Sequence, residues 1–232
     1  MEKQKYTAIV LAAGSGKRMN SKVHKQYLII QDRPVLYYSL KAFEDSAVDE
    51  IVLVVGKGEE KFCRKEIVDK YGISKVKAIV EGGKERYHSV FEGLKQTSDA
   101  DYVLIHDGAR PFVNQDIIRR CMLEVPEYQA CVVGMPVKDT IKIADEEGYA
   151  KQTPDRKNVW MIQTPQTFSY ALIYEAYEEM LKTEDTAITD DAMVLERIKG
   201  KKSKLIEGSY RNIKITTPED LLIANVYLQH PE

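Results

Sequence analysis

One eight-residue stretch, Ala12-Ala13-Gly14-Ser15-Gly16-Lys17-Arg18-Met19, holds two glycines and two cations, and Lys25 follows seven residues after Arg18. A small-residue turn after a strand exposes backbone N–H groups that can cradle phosphate oxygens, and permanent cations beside them can draw off the same negative charge. The dinucleotide fingerprint fails because Met19 stands at its third glycine. The P-loop also fails, with Leu11 in place of its first glycine and Arg18 in place of its Ser/Thr. Taken alone, the glycine pair is equally a tight turn, and Lys17, Arg18, Lys22 and Lys25 are equally solvated charges.

A second constellation is His106-Asp107-Gly108-Ala109-Arg110-Pro111. A hard divalent ion takes one or two carboxylates plus substrate phosphates and water, so Asp107 alone is chemically sufficient for Mg²⁺. Gly82-Gly83 leaves room for a base to approach the backbone, with Ser89 as a polar contact, although a turn explains the two glycines as economically. His88 receives no role, since an imidazole is more often a satisfied surface or core group. Lys138-Asp139-Thr140, Asp155-Arg156, Gln163-Thr164-Pro165-Gln166 and Arg211-Asn212-Ile213-Lys214 add cations and hydrogen-bonding groups, each uninformative by itself.

The elements that must position these residues alternate. Apolar runs at 6–11, 50–56, 76–80, 102–106 and 130–135 are short and bounded by turn residues, the pattern of parallel strands buried on both faces. Between them come helical spacings: Leu36, Leu40 and Phe43; Val90 and Leu94; Ile117, Ile118 and Cys121 after a cap at Asn114. The expectation is an α/β three-layer sandwich with a mostly parallel sheet. The first loop and Asp107 then emerge at the strand ends, where such sheets bind ligands. Residues 136–168 break the rhythm and read as a protruding β-arm opened by an exposed strand at 140–143. Helices resume after Ser169 and after Thr189, and Thr217-Pro218-Glu219-Asp220 opens a last one. The whole chain, 1–232, is expected to form a single domain carrying that arm.

Bulk properties narrow the class. The 232 residues are 44% apolar and 30% charged, with a net charge of −2, and no stretch approaches a membrane-spanning length. The amino terminus shows no signal-type apolar region, so a cytoplasmic location is expected. Residues 1–34 hold seven Lys/Arg against Glu2 and Asp32, a local excess of five positive charges. Such a cluster suits a small polyanion rather than nucleic acid, which needs a wider basic field. Cys63, Cys121 and Cys131 have neither disulfide nor zinc spacing.

In order and spacing these segments resemble the 2-C-methyl-D-erythritol 4-phosphate cytidylyltransferase family over nearly the whole chain. The motifs that carry the resemblance are A-A-G-S-G-K-R-M, K-Q-Y-L, G-G-K-E-R, H-D-G-A-R-P-F, P-V-K-D-T, Q-T-P-Q-T-F, I-T-D-D and E-G-S-Y-R-N-I-K. The resemblance implies a Rossmann-like nucleotidyltransferase fold that moves CMP from CTP to methylerythritol phosphate with Mg²⁺ held by Asp107. Ala12, Ala13, Gly14, Gly16, Gly83, Ser89, Asp107 and Gly108 would then form the CTP site. Arg18 and Lys25 would stabilise the transition state, and Arg156 and Lys214 would orient the attacking phosphate. Acceptor contacts would fall on Arg110, Thr140, Arg156 and Thr164. Arg156 would reach in from a partner subunit's arm, which implies a homodimer.

Leu11 and His24 stand where the family often has proline, and Lys84 where an acidic residue is frequent. The related ribitol-5-phosphate cytidylyltransferases share a Leu-Ala-x-Gly start and the Gln-Thr-Pro-Gln segment, while Gly108-Ala109 after Asp107 looks more like the methylerythritol enzymes. Outside this class, a non-catalytic nucleotide-binding module would keep the fold without pyrophosphate release. A nicotinamide-dependent oxidoreductase is disfavoured by the missing third glycine.

Overall fold

The computed structural model describes residues 3–14, 19, 23–97, 99–183 and 187–230. In chain order the elements are β1 Tyr6–Ala12, β2 Ile29–Ile30, β3 Arg33–Pro34, α1 Val35–Glu44, β4 Glu50–Val55, α2 Glu60–Cys63, β5 Val76–Glu81, α3 Arg86–Leu94, β6 Tyr102–Asp107, α4 Gln115–Tyr128, β7 Ala130–Pro136, β8 Ile143–Ala144, β9 Ala150–Gln152, β10 Trp160–Ser169, α5 Tyr170–Met180, α6 Asp191–Lys199, β11 Lys204–Glu207 and α7 Pro218–Gln229. A π-helical turn, Arg64–Asp69, continues α2.

Seven strands form one sheet in the order β11-β7-β10-β6-β1-β4-β5. β1 is an interior strand, paired in parallel with β4 on one side and β6 on the other, which is why its apolar run is continuous rather than alternating. Side chains still alternate by face. Ala8, Val10 and Ala12 pack with Leu36, Leu40 and Phe43 of α1 and Ile117, Ile118 and Cys121 of α4. Ile9 turns the other way, towards Val90 and Leu94 of α3 and Ile173 and Tyr177 of α5. Two cores on the two faces of one sheet make the expected three-layer sandwich. A third, smaller cluster seats α7 through Ala224 against Ile30, Val35 and Ile215.

Local signals place the helix starts. The Asn114 side chain accepts from Ile117 N at 3.0 Å to cap α4, and Thr217 and Asp220 form a capping box with Pro218 in the first turn of α7.

The arm is shorter than 136–168. Residues 160–168 belong to β10, which lies antiparallel between β6 and β7. Its Thr-Pro-Gln run looks exposed in sequence, yet Gln163, Thr164, Gln166 and Thr167 are buried. The Gln163, Thr164 and Gln166 side chains find internal hydrogen-bond partners. Pro165 is tolerated because the β7 register shifts between Ile162 and Gln166, so no ladder bond is asked of its nitrogen. What protrudes is 137–159, carrying the short β8–β9 ribbon turned at Gly148 with φ 89°. Within 140–143 only Ile143 joins that ribbon.

Candidate nucleotide site

The strand order reverses between β1 and β6, since β4 and β5 extend from one side of β1 and β6 lies on the other. A crevice opens outside the strand ends at such a switch point. Here it is a cleft of about 490 Å³. Register places Leu11 opposite Asp107, and Gly108 N donates to Leu11 O at 2.8 Å, so the glycine loop and Asp107 share one edge.

One wall is built from backbone and small side chains: Ala12, Ala13, Gly14, Gly83 and Ser89. A Cβ on Gly82 would lie 2.5 Å from Ala13 Cβ and 2.7 Å from Ser89 Oγ, so only glycine lets the loops after β1 and β5 approach this closely. Ser89 Oγ accepts from Gly83 N at 3.1 Å and donates to Glu85 O at 3.2 Å. Its hydroxyl therefore braces the loop. His88 belongs to the same brace, since Nδ1 accepts from Glu85 N at 3.3 Å in the capping box of α3.

Cations gather around Asp107. Lys214 Nζ lies 2.8 Å from Asp107 Oδ2, Arg110 Nε 3.7 Å from the same oxygen, and Arg86 Nε 3.4 Å from Oδ1. Burial would push the Asp107 carboxyl up, but the charges of Lys214, Arg86 and Arg110 outweigh it and hold the group far below the usual carboxylate range. Lys25 stands on a short 3-10 turn, Lys25–Tyr27. Its Nζ donates to Ile215 O at 3.0 Å, while the buried Gln26 amide donates to Ala12 O. The segment bearing Lys214 is pinned by Ile215 N to Ala109 O at 2.8 Å and by Asn212 Nδ2 to Thr164 O at 2.9 Å.

Beneath Asp107 runs a chain of fixed polarity. Asp107 N donates to Thr164 Oγ1 at 3.1 Å, and Thr164 Oγ1 lies 3.0 Å from His106 Nδ1. His106 Nε2 lies 3.2 Å from the Arg110 carbonyl, which can only accept, so the proton sits on Nε2 and Thr164 donates to Nδ1. Burial, with help from the Arg110 charge, pushes His106 down to about 4 against the pull of Asp107, so the ring is neutral at physiological pH.

Of the residues singled out in sequence, the structure gathers Ala12, Ala13, Gly14, Lys25, Gly83, Ser89, Asp107 and Lys214 around this cleft. Gly108 lies behind it, where a Cβ would meet Leu36 Cδ1 at 2.8 Å. Arg110 is largely buried, with Nη1 donating to Asn212 O at 2.8 Å. The Thr164 hydroxyl is committed to the internal chain just described. Thr140 and Arg156 are exposed on the arm, with Arg156 Nη1 on Lys138 O at 2.9 Å, and neither lines the cleft. Gly16 and Arg18 lie outside the described residues. Sequence reasoning passed over Arg86 and Asp191, although both stand in quoted motifs, G-G-K-E-R and I-T-D-D, because nothing local reveals that they pair.

The donor set bears on a metal ion. Among the described residues no group of three or more His, Cys, Asp or Glu is placed to hold one. Mg²⁺ fits here only in the mode of one carboxylate plus phosphate and water oxygens. Asp107 Oδ1, touched among the described residues by Arg86 at 3.4 Å, is the less engaged oxygen and suits that role. With cations and backbone exposed along it, the cleft can hold and polarise phosphates.

The family model for 2-C-methyl-D-erythritol 4-phosphate cytidylyltransferase matches residues 6–230. A protein of that name from Lachnoclostridium phytofermentans is 51% identical over 97% of both chains, and one from Lachnospira eligens is 54% identical over 96% of this chain and 99% of its own. Among solved structures, a 4-diphosphocytidyl-2C-methyl-D-erythritol synthase from Anaerococcus prevotii superposes with a TM-score of 0.86 at 38% identity, covering 98% of this chain and 97% of that one. A 2-C-methyl-D-erythritol 4-phosphate cytidylyltransferase from Thermus thermophilus gives 0.77 at 29%, covering 95% and 98%. With its sheet, its cleft and nearly its full length shared, the chain belongs to the 2-C-methyl-D-erythritol 4-phosphate cytidylyltransferase family.

Proposed function

We propose that the chain transfers CMP from CTP to 2-C-methyl-D-erythritol 4-phosphate, giving 4-diphosphocytidyl-2-C-methyl-D-erythritol and pyrophosphate in the isoprenoid pathway. The observation that carries this is one cleft in which Lys25, Lys214 and Arg86 converge beside the glycine-lined wall at Gly83 and Ser89. The acceptor phosphate oxygen attacks the α-phosphorus of CTP in line, and the bond from that phosphorus to the pyrophosphate oxygen breaks. The nucleophile is already an anion at neutral pH, so no general base is required and positioning with charge neutralisation supplies the catalysis. Arg18 and Lys25 stabilise the charge that develops at the α-phosphate. Lys214 gives up part of its contact with Asp107 to do the same for the incoming phosphate.

Mg²⁺ would be held by Asp107 and would add charge neutralisation on the triphosphate. The protein acts as a homodimer through the arm, with Arg156 serving the partner's site. In support, the arm exposes Ile143 and Tyr149, at 46% and 70%, and Arg156 is absent from its own subunit's cleft. A cytoplasmic location suits a protein that draws on soluble CTP. Pyrophosphate release, measured with each of the four nucleoside triphosphates against methylerythritol 4-phosphate and ribitol 5-phosphate, tests the assignment. Turnover should require CTP and the methylerythritol acceptor. Preference for another nucleotide or for ribitol phosphate, or binding without release, would replace it.

A further inference from the structure

Asp191, the first residue of α6, is fully buried and outside the cleft. Its carboxylate nevertheless takes both terminal nitrogens of Arg86, Nη1 on Oδ1 and Nη2 on Oδ2, each at 2.8 Å. Tyr177 of α5 donates its phenol to Asp191 Oδ1 at 2.6 Å. Gln166 of β10 accepts the backbone N–H groups of Asp191 and Ala192 at 3.0 Å. The Asp191 carboxylate is therefore held by α3 and α5, and its backbone by β10. A buried ion pair is a poor device for stability alone, because desolvation offsets most of the attraction. Its place behind a binding cleft calls for another account.

Arg86 supplies that account. Its side chain is 29% exposed and lines the cleft. Of its five N–H groups two are on Asp191 and Nε faces Asp107 Oδ1, so two are without partners among the described residues. Asp191 cancels most of its net charge, which makes Arg86 a poor long-range attractor. The bidentate grip fixes the guanidinium plane instead, a property that a lysine cannot reproduce.

We propose that Arg86 is a ligand of the bound nucleotide, donating its two spare N–H groups to phosphate oxygens of the triphosphate. Asp191, with Tyr177 behind it, is the positioning residue that aims it. This rests on the reading of the cleft as the CTP site.

The test is calorimetric CTP binding to folded protein without acceptor, joined to steady-state kinetics and thermal unfolding. Asp191→Asn keeps the shape but puts an NH₂ where an acceptor stood. Its Kd and KM for CTP should rise about tenfold, with KM for the acceptor unchanged. Tyr177→Phe should show a smaller loss of about two- to threefold. Arg86→Lys, which keeps the charge and loses the fork, should lose about tenfold. A merely structural network would lower the unfolding temperature and the active fraction while leaving CTP affinity intact. Unchanged CTP affinity in Asp191→Asn overturns the inference. Should that variant not fold, unchanged affinity in both Tyr177→Phe and Arg86→Lys does so. The CTP titration of the native protein separates the two levels. If the native protein binds CTP and the network variants bind it as tightly, the inference about Arg86 and Asp191 falls alone. If the native protein does not bind CTP, the nucleotide reading of the cleft falls with it.

Discussion

Replacing Lys214 by alanine should separate activity from stability. Its Nζ lies 2.8 Å from Asp107 Oδ2, and 35% of its side chain is exposed. The variant leaves the buried Asp107 carboxylate with Arg86 at 3.4 Å and Arg110 at 3.7 Å, so the carboxylate is not stranded. A partly exposed pair of this kind contributes about 1 kcal/mol or less, which in a chain of this size is about 2–4 °C of unfolding temperature. In the reaction the same ammonium faces phosphate charge in the cleft. Loss of one such donor costs about 2.7–4 kcal/mol of transition-state stabilisation, or about 100- to 1000-fold in turnover. Pyrophosphate release and thermal unfolding on the same preparation provide the assay. Activity within about tenfold of the native protein would refute the assigned role. A drop in unfolding temperature well beyond ten degrees would instead make Lys214 a structural residue.

Arg18→Ala and Lys25→Ala should each depress kcat about a hundredfold by the same loss of charge stabilisation, and near-normal turnover in either would remove that residue from the mechanism. Mixing Arg156→Ala with Lys25→Ala subunits should restore measurable activity, because each heterodimer then holds one intact shared site; no recovery in verified heterodimers assigns Arg156 to its own subunit. The three thiols should resist a disulfide-exchange reagent in the native protein up to about pH 10, since burial pushes Cys63 up to about 11 and Cys121 and Cys131 up to about 12, keeping them protonated. Rapid labelling before unfolding would show that one of them is accessible.

Sequence alone determined the alternation of strands and helices and the helix starts at Asn114 and Thr217, because these depend on residues within a few positions of one another. It also yielded the cleft's main lining, since the ends of parallel strands with one cation-rich loop and one Asp have few other places to converge. The tertiary structure decided what depends on distant partners. β10 looks like an exposed polar loop until Gln166 is seen capping the start of α6, 25 residues away. Nothing near Thr164 in the chain reveals that its hydroxyl lies between Asp107 N and His106, 57 and 58 residues away. Arg86 and Asp191, 105 residues apart, carry no mutual signal along the chain. Side chains that can hydrogen-bond in either role acquire one only when folding brings the complementary atom, and that pairing is set by the packing of the sheet and its helices rather than by local spacing.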